Sequence, residues 1–209
     1  MIVAVVGANG RSGKQFVLAA LEAGFVVRAG VRGPHDLPDN ENLTILACDA
    51  LSKNELKILI HGSDAVVSLI GHGPGVSATV QQTATRYILQ LMQQFGIRRL
   101  ISLTGTGVRF AGDRPGMIDK LANRFIASVD PERIKDGKAH AELLKKSDVD
   151  WTLVRVLKLT NGSHHGRVTF SPHVPSELLT PRSRVAAGVV QLLKTDQYIK
   201  QAPVITGSE

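Results

Sequence analysis

The chain has 209 residues, of which 43% are hydrophobic and 21% charged, as expected of a soluble globular domain with room for a sizeable core. Its 25 lysines and arginines exceed its 18 acids, but the basic residues are scattered and aromatics make up only 4%, which argues against a nucleic-acid partner. No apolar run is long enough for a membrane span or opens like a signal peptide, and a single cysteine, Cys48, excludes an internal disulfide, so the expected setting is the cytoplasm.

Ile2–Val6 reads as a first strand, and VVGANGRSGK follows it with glycines at 7, 10 and 13 before a helix over Gly13–Ala23. In that order Gly7 makes a tight turn, Gly10 lets the backbone approach a pyrophosphate, and Gly13 lets helix and strand pack closely. The helix N-terminus supplies N–H groups and partial positive charge. A turn without a ligand would need fewer glycines.

The second strand, Phe25–Val31, decides which dinucleotide fits. An NAD site usually carries an acid there to grip the ribose hydroxyls. FVVRAGVRG has none; it has Arg28 and Arg32. A guanidinium at the strand end suits a 2′-phosphate, so Arg32 reads as the clamp and Arg28 as part of a solvated face. NADP(H) is the expected cofactor.

Further strands are expected at Leu43–Cys48, Ala65–Ile70, Leu100–Thr104 and Trp151–Val156, with a last one at Ala202–Ile205. Helical spacing marks Lys53–Ile60, Val76–Phe95, Gly137–Lys146 and Arg182–Leu193. Continuous apolar strands alternating with helices mean an α/β fold, a Rossmann-type doubly wound parallel sheet, here read as one domain over residues 1–209. The loops Gly7–Gly13, Gly71–Gly75, Gly105–Gly107 and Leu157–Gly162 should then ring one crevice.

His72, in LIGHGPG, falls in that ring as a substrate-side residue or proton donor. His140 is expected to point outward, Asp119 and Lys120 to form a surface ion pair, and His164-His165 to be loop residues, with no metal. Glycines 105, 107, 112 and 116 make the segment after the fifth strand pliable, either a moving lid or a simple irregular loop. Ser102, Thr104 and Thr106 alternate at a strand end, but the sequence identifies no histidine partner that would make a serine a nucleophile.

GANGRSGK, VRAGVRGPHDL, CDALSKNELKILIHGSDAVVSLIG, GIRRLISLTG and SDVDWTLVR together resemble the atypical short-chain dehydrogenase/reductase family. Within it the chain is similar to the NmrA-like NAD(P)-binding proteins and the flavin reductase/biliverdin reductase B proteins. The resemblance implies that Gly7, Asn9, Gly10, Arg11, Ser12 and Gly13 hold the pyrophosphate and Arg32 the 2′-phosphate. It puts Asp49 and Ala50 beside the adenine and Leu69, Ile70 and Gly71 beside the ribose. Thr104, Gly105, Val156 and Leu157 border the nicotinamide.

The chain departs from the family in its chemistry. Its only tyrosines, Tyr87 and Tyr198, have no lysine four residues on, so the usual proton-transfer dyad is absent. Gly105 stands where the resembling reductases have a serine, and Lys158 where they have a histidine; Asp136, read as opening its helix, matches. The expected activity is NADPH-dependent hydride transfer to a flat acceptor such as a flavin or quinone, with Thr104 and Lys158 as catalytic residues. The rival is an NmrA-like NADP-sensing protein with a protein partner. Monomer and homodimer both stay open.

Overall fold

The structure, a computed structural model, describes residues 1–73, 75–163, 166–173 and 178–208. Six strands follow the expected order: β1 (Ile2–Val6), β2 (Val26–Val31), β3 (Leu43–Ala47), β4 (Ala65–Ser68), β5 (Arg99–Gly105) and β6 (Asp150–Val156). They are joined later by β7 (Leu159–Thr160), β8 (Arg167–Ser171), β9 (Thr180–Pro181) and β10 (Val204–Ser208). The main sheet runs β3-β2-β1-β4-β5-β6-β10-β8, and β7 pairs with β9 apart from it. All neighbours in the main sheet are parallel except β8, which lies antiparallel on β10. This is a Rossmann-like α/β fold.

The helices are α1 (Arg11–Glu22), α2 (Lys53–Ile60), α3 (Val80–Phe95), α4 (Met117–Val129), α5 (Pro131–Lys145) and α6 (Arg182–Leu193). Phe16, Val17 and Ala20 of α1 join Val185, Val189 and Leu192 of α6 in one core layer. Leu56 and Leu59 of α2, Ile88 and Leu91 of α3 and Leu144 of α5 fill the other. Both faces of the sheet are therefore covered, which is why its strands read as unbroken apolar runs. Local chemistry marks the helix ends. The Ser52 hydroxyl accepts from Glu55 N to start α2, and Asp130 accepts from Arg133 N ahead of Pro131 to start α5.

Three expectations need correcting. The glycine-rich segment is irregular from 106 to 116, as expected, but the helix α4 that follows it at Met117 was not. The helix expected from Gly137 begins at Pro131, so Asp136 lies inside it rather than at its start. Last, β8 was not expected. Cys48 follows β3, buried, with its N–H donating to Val31 O at 2.8 Å.

The connection from β1 passes through α1 to β2 on one side, whereas β4 passes through α3 to β5 on the other. Strand order reverses between β1 and β4, and a crevice opens beyond their carboxyl ends.

Candidate functional site

The glycine loop leaves β1 at Gly7, whose φ of +82° only glycine adopts without strain. Gly13 faces back onto the loop: a Cβ there would stand 2.1 Å from Gly7 O and 2.7 Å from Ala8 O. Gly10 differs. It is exposed, and a Cβ on it would meet only Gly7 O, at 3.2 Å. Gly10 is also the N-cap of α1, without a capping side chain and without an acid in the first turn. The helix thus offers its first N–H groups and dipole to the crevice. Arg11 is exposed at this end, beside the half-buried Ser12. Asn9 donates through Nδ2 to Pro34 O at 2.6 Å, and its Oδ1 is buried without a partner.

Arg32 directly follows β2, exposed, and among the described residues no carboxylate pairs with it. Arg28 is not simply solvated as expected. It donates to Leu59 O at 2.9 Å and Ile58 O at 2.8 Å, capping the end of α2. Beyond β3, Asp49 Oδ1 accepts from Leu51 N at 2.9 Å, which turns the chain at Asp49 and Ala50 beside the β2 end.

At the exit of β4, Leu69 is buried and bonded to Val6 O, Ile70 O accepts from Gln81 Nε2 at 2.9 Å, and Gly71 is open to solvent. His72 follows, largely buried, with Nε2 2.9 Å from Asp136 Oδ2. The same carboxylate accepts Gln81 N and Gln82 N, each at 2.9 Å, from the start of α3. Since these contacts use Asp136 as acceptor, the imidazole donates through Nε2 and leaves Nδ1 as its other nitrogen.

Thr104 is buried near the end of β5 on the α5 side, where a Cβ on Gly137 would come within 3.1 Å of its Oγ1. Gly105 is exposed, Val156 buried and Leu157 half-buried across the β5–β6 ladder. Lys158 lies exposed after β6, and no hydrogen bond joins its side chain to Thr104. The expected pair is thus placed on neighbouring strand ends but not brought into contact.

His140 corrects its expectation outright. It is buried, and its Nε2 lies 3.0 Å from Ser102 Oγ, itself buried. Burial pushes its pKa from 6.5 down to about 4. This is the histidine partner the sequence did not reveal, but both groups are too enclosed for a substrate to reach.

Asp119 is also buried, and it pairs with Arg109 rather than with Lys120. Asn123 ties α4 to Thr106 Oγ1 at 3.0 Å. Arg155, fully buried in β6, donates to Asp113 Oδ1 at 3.0 Å and to Ala202 O at 2.7 Å. The segment after β5 is therefore pinned by ion pairs. Sequence reasoning missed Arg155 and also Arg182, the buried first residue of α6. Both stand in otherwise apolar or helical runs whose pattern does not tell a buried arginine from a surface one. His164 and His165 lie outside the described residues.

These residues fit a dinucleotide. Gly10 leaves open the space a side chain would fill, α1 presents an uncapped N-terminus, and the orphaned Asn9 Oδ1 would accept from a ligand hydroxyl. A family profile described as NAD(P)H-binding matches residues 7–196. The chain belongs to this NAD(P)H-binding family. An uncharacterized chloroplastic protein of Arabidopsis thaliana is 27% identical to the chain over 220 residues, covering 99% of it and 77% of the relative. Among solved structures, a short-chain dehydrogenase/reductase of Veillonella parvula in complex with NADP has a TM-score of 0.81 at 14% identity, over 98% of this chain and 94% of that one. A candidate NADH-flavin reductase of Streptococcus pneumoniae has a TM-score of 0.77 at 20% identity over 100% of both chains. At such identities these structures establish a shared fold for this NAD(P)H-binding protein. No helix among the described residues is long and apolar enough to cross a membrane.

Proposed function

We propose that this NAD(P)H-binding protein is an NADPH-dependent oxidoreductase of the atypical short-chain type, acting on a flat acceptor such as a flavin or quinone. The observation that carries the cofactor choice is Arg32, exposed at the end of a β2 that holds no acid. Bound NADPH would supply the hydride. The glycine loop and α1 would hold the pyrophosphate, Asp49 and Ala50 would border the adenine, and Leu69, Ile70 and Gly71 would lie along the ribose. Gly105, Val156 and Leu157 would flank the nicotinamide.

On the substrate side, His72 is oriented by Asp136, and the Thr104 hydroxyl can orient an acceptor carbonyl. Exposed Lys158 would stabilise negative charge on the reduced acceptor. Flavins and quinones also take protons from solvent, so turnover does not depend on a tyrosine. The chain's resemblance to flavin reductase/biliverdin reductase B proteins supports this reading, as does the name carried by the Streptococcus pneumoniae structure.

One observation favours an NmrA-like sensor without catalysis. Tyr87 sits in α3, and the Tyr198 hydroxyl donates to Phe170 O at 3.2 Å, so neither is set up as a proton donor in the crevice. The deciding experiment follows NADPH oxidation spectrophotometrically with flavins, quinones and aldehydes as acceptors. Oxidation with a flavin or quinone supports the reductase, whereas tight NADPH binding with no turnover on any acceptor supports the sensor.

A further inference from the structure

Arg182 is the first residue of α6 and only 7% exposed. A guanidinium buried to that degree normally faces a carboxylate or a bound anion. Here it has neither among the described residues. Among the described residues its one side-chain hydrogen bond is from Nη1 to Asn161 Oδ1, a neutral acceptor, at 2.6 Å. The β7–β9 ladder sets this contact, because Thr160 lies opposite Pro181 and the residues that follow the two strands are Asn161 and Arg182.

The surroundings are cationic. Helices α1 and α6 cover the same face of the sheet, and each begins at its carboxyl edge. Burial, with the nearby positive charge of Arg11, holds the Arg182 guanidinium below the usual arginine value. Two cations are thus collected beside a glycine loop and an uncapped helix N-terminus, a combination that an anion would relieve.

We infer that Arg182 is an anion-contacting residue of the dinucleotide site, and that it and Arg11 bracket the pyrophosphate from the first turns of two helices. Asn161 holds the guanidinium fork in place by one corner and leaves its other donors for phosphate oxygens. The inference rests on the dinucleotide reading and adds a residue far from the glycine loop in sequence. It also separates two roles: Arg32 would read the 2′-phosphate alone, whereas Arg182 would serve any dinucleotide.

The test titrates NADPH, NADH and inorganic pyrophosphate calorimetrically into the parent, Arg182→Met and Arg182→Lys, and records melting without ligand. Arg182→Met should weaken NADPH and NADH by a similar factor of about 10 to 100, and Arg182→Lys by less. Without ligand, the Met variant should melt no lower than the parent, because it loses a buried charge that has no counter-ion. A purely structural arginine would give a lower melting temperature and unchanged affinities, and that result overturns the inference. Should Arg182→Met fail to fold, Arg182→Gln, which keeps a donor for Asn161, takes its place under the same criteria. Binding of pyrophosphate that depends on Arg182, with no dinucleotide binding, would keep the anion site and overturn the proposed function. NADPH binding indifferent to Arg182 would do the reverse.

Discussion

His72 Nε2 lies 2.9 Å from Asp136 Oδ2, joining the exit of β4 to the middle of α5. The carboxylate also takes two main-chain N–H groups at the head of α3. One buried acid therefore fixes three elements that meet at the crevice, and the imidazole hangs from a support that does not need it.

This asymmetry sets the first prediction. Asp136→Ala should cost about 2–4 kcal/mol, because it leaves two helix N–H groups and the imidazole without their acceptor. His72→Ala should cost no more than about 1.5 kcal/mol, since the carboxylate keeps its main-chain partners. Urea unfolding of both variants measures the difference. Equal losses would mean that the histidine carries the structure.

Arg32→Ala should remove most of the preference for NADPH over NADH. The phosphorylated form should lose about 10- to 100-fold in affinity while NADH changes little. Fluorescence titration of both cofactors reads this directly, and equal affinities in the parent would refute the assignment.

Two glycines should respond in opposite ways. Gly13→Ala forces a methyl against two carbonyl oxygens and should destabilise the fold by at least about 3 kcal/mol. Gly10→Val meets little of the protein itself and should fold, yet place its side chain where a pyrophosphate belongs. Melting and NADPH titration of the pair separate the two roles. A folded Gly10→Val that binds like the parent would show the loop to be a turn only.

His140 gives a pH signature. The unfolded chain takes up a proton near pH 6.5 that the folded chain resists until about pH 4. Because the folded pKa is the lower one, the residue's stability contribution is complete above pH 6.5 and shrinks as pH falls towards 4, by roughly 3 kcal/mol in all. His140→Gln keeps a polar partner for Ser102 and should show a flatter stability profile between about pH 7 and pH 4.5 in urea. A profile as steep as the parent's would assign the acid sensitivity elsewhere.

What the sequence shows plainly is what burial on both sides imposes: IVAVV and its fellow strands are mostly apolar, and the arginines inside them, Arg28 and Arg155, are tied by hydrogen bonds. The inward face of α5 was harder to see. Asp136, Gly137, His140, Ala141 and Leu144 share that face, and three of these five are polar or glycine, so no hydrophobic stripe announces it. Beginning the helix at Gly137 hid the relation further. For α4 the pattern misled in the other direction. Its Met117, Leu121 and Phe125 lie outward, exposed, while the buried residue is Asp119. A charge held inside by Arg109 reverses the usual rule for which side of a helix faces in. As for β8, its partner comes more than 30 residues later, in β10, and pairing at that distance leaves no local mark.

Cys48 carries a consequence for experiment. Burial, helped by Glu55 and Asp49 nearby, pushes its thiol up to about 12, so the native protein holds almost no thiolate at neutral pH. An alkylating reagent should react only while the end of β3 swings away from α2. The chain's lone thiol is thus a built-in clock: its labelling rate counts openings of the sheet edge beside Asp49. A ligand seated against that edge should make the clock run slow.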